Sequence, residues 1–196
     1  MKTELLLLAA GQSKRFGGIK QLTKIQGKPM VCHCLIQYRL GDSWLEGLAD
    51  GHIALGANAA LIKDLLPINV NKHVIETWEN GMGHTLAESM QYLAPNTTHV
   101  LIGLADQVMI NQQMIKGILA QSSQFPKNIV ASKYAGRLGA PVIFPRQYFS
   151  QLRQLKGDQG ARHILRQHVT EVVSMQMPEA ALDIDSQDDL KAFNLR

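Results

Sequence analysis

Glu4-Leu5-Leu6-Leu7-Leu8-Ala9-Ala10-Gly11-Gln12-Ser13-Lys14-Arg15-Phe16-Gly17-Gly18 is the stretch on which the fold turns. Glu4 to Ala9 is a short apolar run that ends in glycine, the pattern of a buried first strand feeding a loop. In an open α/β sheet, ligands bind in the crevice beyond the carboxyl ends of the strands, so the loop after this strand is the first place to look for a site. Gly11, Gly17 and Gly18 let the backbone approach an anion, the N–H groups supply donors, and Lys14, Arg15 and Lys20 supply positive charge. That combination suits a triphosphate. The spacing excludes two other phosphate loops, because there is no G-x-x-x-x-G-K-[ST] and Gly11 to Gly17 does not reproduce G-x-G-x-x-G.

Outward from this loop, strand and helix patterns alternate. Pro29 suits the first turn of a helix through about Leu40. Strands are expected near Gly51 to Leu55 and Val70 to Ile75, with a helix near Ala57 to Leu65 between them. Gly81 to Gly83 breaks the chain before an amphipathic helix to about Leu93, and Thr98 to Leu104 is an apolar strand stopping at Ala105-Asp106. A helix near Gln112 to Gln121 follows, then strands Asn128 to Ser132 and Ala140 to Phe144. Helices near Arg146 to Leu155 and Gln159 to Gln167 precede strands near Thr170 to Ser174 and Ala181 to Ile184. Ser186-Gln187-Asp188-Asp189 reads as a capping box opening the last helix. The expected architecture is α/β, with three α/β/α layers around a mostly parallel sheet and a single domain over 1–196.

With 45% apolar residues, 16 glycines and 7 prolines, the 196-residue chain has the composition of an ordinary globular α/β protein, and disorder or collagen-like structure is excluded. No apolar run reaches the length of a membrane span, and the first one leads into Gly-Gln-Ser-Lys-Arg instead of a small-residue cleavage site, so a cytoplasmic location is expected. Cys32 and Cys34 flank His33 on an expected helix and point in different directions, which fits buried reduced thiols better than a metal pair. Charge is concentrated: residues 1–40 hold seven basic side chains against Glu4 alone, a net of +6 in a chain whose total is +4. Such a field attracts polyphosphate. Nucleic acid is disfavoured because no aromatics interleave with the basic residues. His84-Thr85-Leu86-Ala87-Glu88 is not H-E-x-x-H, so no zinc site is read there.

The string Leu8 to Gly18, followed by Lys20-Gln21-Leu22 and Gly27-Lys28-Pro29, resembles the L-A-A-G-x-S-x-R-[FM]-G…K…G-K-P signature of the MobA-like nucleotidyltransferases. The resemblance continues through Trp78-Glu79-Asn80-Gly81-Met82 with Thr85-Leu86, Gly103 to Gln107, Gly139-Ala140-Pro141, Gly157 to Arg162 and Asp183 to Ser186. Gly-Asp-x-Gly-Ala-Arg favours the molybdenum cofactor cytidylyltransferase branch. Ala10, where guanylyltransferase relatives usually have Gly, favours CTP over GTP.

The resemblance implies a Rossmann-like nucleotidyltransferase fold of the glycosyltransferase-A type and a Mg2+-dependent reaction. In it, CMP passes from CTP to the terminal phosphate of molybdopterin with release of pyrophosphate, and the product is handed to a molybdoenzyme in a transient contact. Arg15, Lys20 and Asp106 are the implied catalytic residues. Leu8, Ala9, Ala10, Gly11, Lys20, Gly81 and Thr85 are implied for the nucleotide, with the helix after Gly81 turning its N-terminus to base or ribose. Gly139, Pro141, Asp158 and Arg162 are implied for the second substrate, and Asp106 and Asp185 for Mg2+, with Asp183 as the alternative second ligand. Taken alone, an Asp ending a strand is more often a cap or turn residue. Two other readings stay open: a cytidylyl- or uridylyltransferase for a sugar or polyol phosphate, motivated by Lys20-Gln21, and a weakly catalytic accessory protein that binds the molybdenum cofactor. The second is motivated by Ala105-Asp106-Gln107-Val108 where the family often has Cys-Asp-Gln-Pro.

Overall fold

The structure is a computed structural model and describes residues 1–194. Its centre is β1 (Thr3–Ala9), whose residues are all buried. Leu5 and Leu7 face one layer while Leu6 and Leu8 face the other, the two-residue alternation of a strand covered on both sides. Burying each leucine is worth about 2 kcal/mol before entropic costs, which is why this run anchors the sheet.

Beside β1 run β2 (Leu48–Leu55), β3 (Asn71–Val74), β4 (His99–Leu104), β5 (Ile129–Tyr134), β6 (Arg137–Pro145) and β7 (Val172–Gln176). The seven strands stand in the order β7-β5-β6-β4-β1-β2-β3. Strand β1 is parallel to β2 and to β4, β2 to β3, and β5 to β7. Among the described strands of this sheet, only β6, reached by the tight turn at Ala135-Gly136, runs antiparallel to its neighbours β4 and β5.

Helices α1 (Met30–Leu35), α2 (Ala59–Lys63) and α4 (Gln112–Gln124) contribute Val31, Leu35, Ile62, Ile115 and Ile118 to the core on one face. Helices α3 (Met82–Ser89), α5 (Phe149–Arg153) and α6 (Arg162–Gln167) contribute Leu86, Leu152, Ile164 and Leu165 on the other. The layers are therefore α/β/α, as expected. A third, smaller core of Phe16, Ile25, Met30, Cys34, Val108 and Ile184 lies next to α7 (Gln187–Asn194), whose Leu190 and Phe193 pack on it.

Some expected elements differ. The helix from Pro29 stops being α-helical at Leu35, continues as a 3-10 turn over Ile36–Tyr38, and gives way to a two-residue ladder of Arg39–Leu40 with Ser43–Trp44 around Gly41, whose φ is +60°. Ala181 to Ile184 is not a strand. Pro178–Ala181 is a 3-10 turn, and the following segment meets the sheet's rim through one bond, from the Ile184 N–H to the Asp106 carbonyl (3.2 Å). The apolar pattern there reflects burial of Ile184 in the small third core, not ladder pairing. Cys34 is buried, but Cys32 is only partly so.

Candidate active site

The loop leaving β1 is pinned at several points. The Ala10 carbonyl accepts the Ala57 N–H at 3.1 Å, which ties it to the end of β2. Gln21, in the 3-10 turn Lys20–Leu22, donates through Nε2 to the carbonyls of Gly11 (2.7 Å) and Ala9 (3.3 Å), while its Oε1 accepts from Ser13 Oγ (3.1 Å). Phe16 plugs the far side of the loop into the third core. Ser13 adopts φ +61° and Gly17 φ +73°, so the chain reverses over a short span. A Cβ on Gly11 would meet no protein atom within 4 Å, so this glycine serves no packing contact within the chain and keeps the backbone approachable. Among the described residues of Gly11 to Phe16, the one backbone N–H bonded to a backbone carbonyl is that of Phe16, to Ser13 (3.0 Å).

Facing this loop are three carboxylates. Asp106 is the second residue beyond the end of β4 at Leu104, and its neighbour Gln107 is buried and donates to the carbonyls of Ala140 (3.1 Å) and Ala180 (2.9 Å), fixing the turn between β6 and the C-terminal segment. Asp183 and Asp185 arrive on that segment. The Asp185 N–H is held by Asp189 Oδ2 at 3.1 Å, and Ser186 and Asp189 exchange the reciprocal bonds of a capping box (2.7 and 3.2 Å).

Lys20 lies between the carboxylates: its Nζ is 2.7 Å from Asp106 Oδ2 and 2.8 Å from Asp185 Oδ1. Burial by itself would lower the Lys20 pKa, but the charges and hydrogen bonds of Asp106 and Asp185 raise it above the ordinary value. Arg15 donates to Asp185 Oδ2 at 2.8 Å. Burial opposes ionisation of Asp185, yet Lys20 and Arg15 outweigh it and hold its pKa low. Asp183 has no such partner. Burial first, then the charges of Asp106 and Asp185, push its pKa up to about 6. The thiol of Cys34 is likewise raised by burial and by Asp106, which leaves it protonated and unreactive.

A divalent cation fits this donor set. The side chains are hard oxygen donors, and Asp106 Oδ1 and Asp183 Oδ1 are buried without a hydrogen-bond partner in the protein. Among the described residues, no three His, Cys, Asp or Glu side chains are already gathered into a metal cage. One or two carboxylates completed by phosphate oxygens and water is the coordination Mg2+ ordinarily takes.

The loop and the carboxylates open on one cavity of about 680 Å3. Every candidate residue from the sequence lines it except Gly81 and Pro141. Pro141 is buried behind the wall, its carbonyl accepting from Ser132 Oγ at 2.7 Å. Gly81 backs the wall too. It has φ +102°, and a Cβ there would lie 2.5 Å from the backbone of Gly157.

The expected role of the α3 N-terminus also changes. The N–H groups of Gly83 and His84 donate to the Gly157 carbonyl (2.8 and 3.4 Å), and the Thr85 hydroxyl donates to the Gly81 carbonyl (3.1 Å). The first turn is thus capped by the chain itself, and Thr85 reaches the cavity as part of its wall. At the opposite side stand Asp158, Gln159, Arg162, His163 and Arg166, with Arg162 donating to Tyr134 Oη at 3.3 Å.

Sequence reasoning passed over Gln21, Gln107, Trp78 and Arg166. Gln21, Gln107 and Trp78 lie inside the motif blocks; Gln21 bonds within its own block, whereas Gln107 reaches Ala140 and Ala180 and Trp78 rests against Gly56, where a Cβ would come within 2.6 Å of its Cγ. Arg166 follows Arg162 by one helical turn, the i,i+4 spacing that puts both on one face.

A family model described as MobA-like NTP transferase domain matches residues 5–172. The chain is 24% identical over 174 residues to the purine catabolism protein PucB of Bacillus subtilis (strain 168), covering 82% of this chain and 79% of that protein. It is 26% identical over 170 residues to the bifunctional protein GlmU of Pseudomonas aeruginosa (strain LESB58), covering 86% of this chain but 34% of GlmU, so it spans about a third of that protein's length. Among solved structures, Rv0371c from Mycobacterium tuberculosis H37Rv superposes with a TM-score of 0.83 at 22% identity, covering 100% of both chains. A structure of the same protein in complex with manganese gives 0.80 at 21% identity, covering 99% of this chain and 98% of that one. At these identities the structural likeness establishes the fold.

Proposed function

The chain belongs to the MobA-like NTP transferase domain family and is a nucleotidyltransferase, and from that premise we propose that it transfers CMP from CTP to the terminal phosphate of molybdopterin. One observation carries the reading: the glycine-rich loop and the Asp106–Lys20–Asp185 group face each other across a single cavity. Both reactants are anions, so the reaction needs positioning and charge neutralisation more than a protein nucleophile.

The loop N–H groups of Gly11 to Arg15, with the Arg15 and Lys20 side chains, bind the triphosphate and stabilise charge on the departing pyrophosphate. Leu8, Ala9, Ala10 and Thr85 form the wall against which the nucleoside rests, and Ala10 narrows it for a pyrimidine. Arg162, beside Asp158 and Gly139, orients the acceptor phosphate toward the α-phosphorus. The acceptor oxygen forms a bond to that phosphorus as the bond to pyrophosphate breaks. Asp106 and Asp185 would hold Mg2+, which supplies neutralisation of the phosphate charge.

The experiment is a screen of CTP, GTP and UTP against molybdopterin and against sugar and polyol phosphates, read as released pyrophosphate with Mg2+ present. CTP with molybdopterin should exceed every other pair, and CTP should exceed GTP by at least about tenfold, a difference of 1.4 kcal/mol in the barrier. Equal rates with CTP and GTP would refute the role of Ala10. Turnover of a sugar or polyol phosphate in preference to molybdopterin would move the enzyme to that acceptor class.

A further inference from the structure

The geometry points to Lys20 as a resident counter-cation that a divalent metal must displace, so that metal and triphosphate bind cooperatively through the movement of one side chain. The inference rests on the nucleotidyl-transfer reading of the same cavity. Lys20 bonds Asp106 Oδ2 and Asp185 Oδ1 at 2.7 and 2.8 Å, and its side chain is only 12% exposed. The other oxygen of Asp185 is engaged by Arg15 at 2.8 Å. A cation approaching these two carboxylates therefore meets a positive charge already at hydrogen-bond distance from both. A metal can take Asp106 Oδ1, which has no partner, but to be held by Asp185 as well it must contest an oxygen already bonded by Lys20 or Arg15, and Lys20 is the cation bonded to both carboxylates.

Displacing Lys20 without giving it a new anion leaves an ammonium in a partly desolvated cavity, which is unfavourable. A triphosphate on the glycine-rich loop provides that anion. Lys20 belongs to the loop's own last turn, and Gln21 next to it holds the backbone to the carbonyls of Ala9 and Gly11. The exchange thus needs only rotation about the flexible lysine stem, with the loop left in place. A lysine suits the task because its charge is compact and its stem carries no fixed fork of donors. By linkage, whatever the triphosphate contributes to metal affinity, the metal contributes to triphosphate affinity.

The test uses Mn2+ as the probe on the full chain with no nucleotide, free and bound ion being resolved by electron paramagnetic resonance. Lys20→Met should bind Mn2+ at least about tenfold more tightly than the unaltered protein, because it removes the competing charge, and Lys20→Arg, which keeps the charge, should show no such gain. A Lys20→Met affinity equal to or weaker than that of the unaltered protein overturns the inference. A second measurement does not depend on any variant folding. The side-chain 15Nζ resonance of Lys20 should stay fixed when Mg2+ alone is added and move when Mg2+ and CTP are added together. A full shift with Mg2+ alone, at the concentration that suffices with CTP, overturns it as well. A chain that released no pyrophosphate but showed the gain in Lys20→Met would keep the counter-cation role and lose only the transfer reading.

Discussion

Gln21 shows how one side chain can shape a site without entering the reaction. Its amide closes the loop after β1 by donating to two carbonyls on the near side and accepting from Ser13 on the far side. It is 3% exposed, so the network is largely shielded from competing water. Removing the amide leaves the Gly11 carbonyl and the Ser13 hydroxyl without these partners, at a cost of about 1–3 kcal/mol. Gln21→Ala is therefore expected to raise the KM for the nucleotide about tenfold or more while changing kcat less. Steady-state kinetics with the nucleotide varied would check this. In the proposed reaction Lys20 and Asp106 act differently, because they would touch the phosphates or the ion that neutralises them, and their loss is expected to fall on kcat.

At the scale of elements, what was legible in the sequence was what is local. The run Leu5 to Leu8 announces a strand covered on both faces, and Ser186 with Asp189 announces the start of α7, because each signal lies within a few residues of its effect. The glycine-rich loop is legible for the same reason. What was not legible depends on residues far apart in the chain. Lys20 meets Asp106 and Asp185 across 86 and 165 positions, and no spacing rule encodes that meeting. The resemblance implies Gly81 for the nucleotide, and what the structure adds is the backbone of Gly157 pressing on it, a requirement for glycine set by a residue far along the chain. The first turn of α3 was read as open to a ligand, whereas the Gly157 carbonyl caps it. Ala181 to Ile184 carried a strand-like apolar pattern because Ile184 is buried, and burial alone does not create ladder partners.

The whole molecule separates its chemistry from a second polar cluster on the flank of the sheet. The family match ends at residue 172, so Asp183 and Asp185 reach the cavity on a segment beyond it, held there by Gln107 and by the cap of α7. On β1, β2 and β3, the buried Glu4 carboxylate lies 3.3 Å from His52 Nε2, His52 Nδ1 lies 2.9 Å from His73 Nε2, and His73 stacks on Tyr92. Burial, then the neighbouring His52, lowers the His73 pKa from 6.5 to about 4. Between these values the unfolded chain binds a proton that the folded chain does not, so stability falls as the pH drops through that window. Glu4 adds to the loss at lower pH. Burial would raise its pKa, but the Ala94 N–H (3.0 Å), the Lys2 ammonium (3.1 Å) and His52 (3.3 Å) lower it, and its contribution disappears as the pH falls through the folded value, below 4.5. Thermal melts from pH 7 to pH 4.5 should therefore show a steeper decline for the unaltered protein than for His73→Gln, by about 2–4 °C. Parallel slopes would remove His73 from this account.

The assignment of the cavity itself is tested most directly by the Asp106→Asn variant, which keeps the shape of the side chain and removes its charge. Pyrophosphate release from CTP and acceptor should fall by about a thousandfold, with the melting temperature showing that the fold is intact. Activity in a folded Asp106→Asn protein equal to that of the unaltered chain would contradict the account, because nucleotidyl transfer would then be taking place somewhere other than opposite the glycine-rich loop.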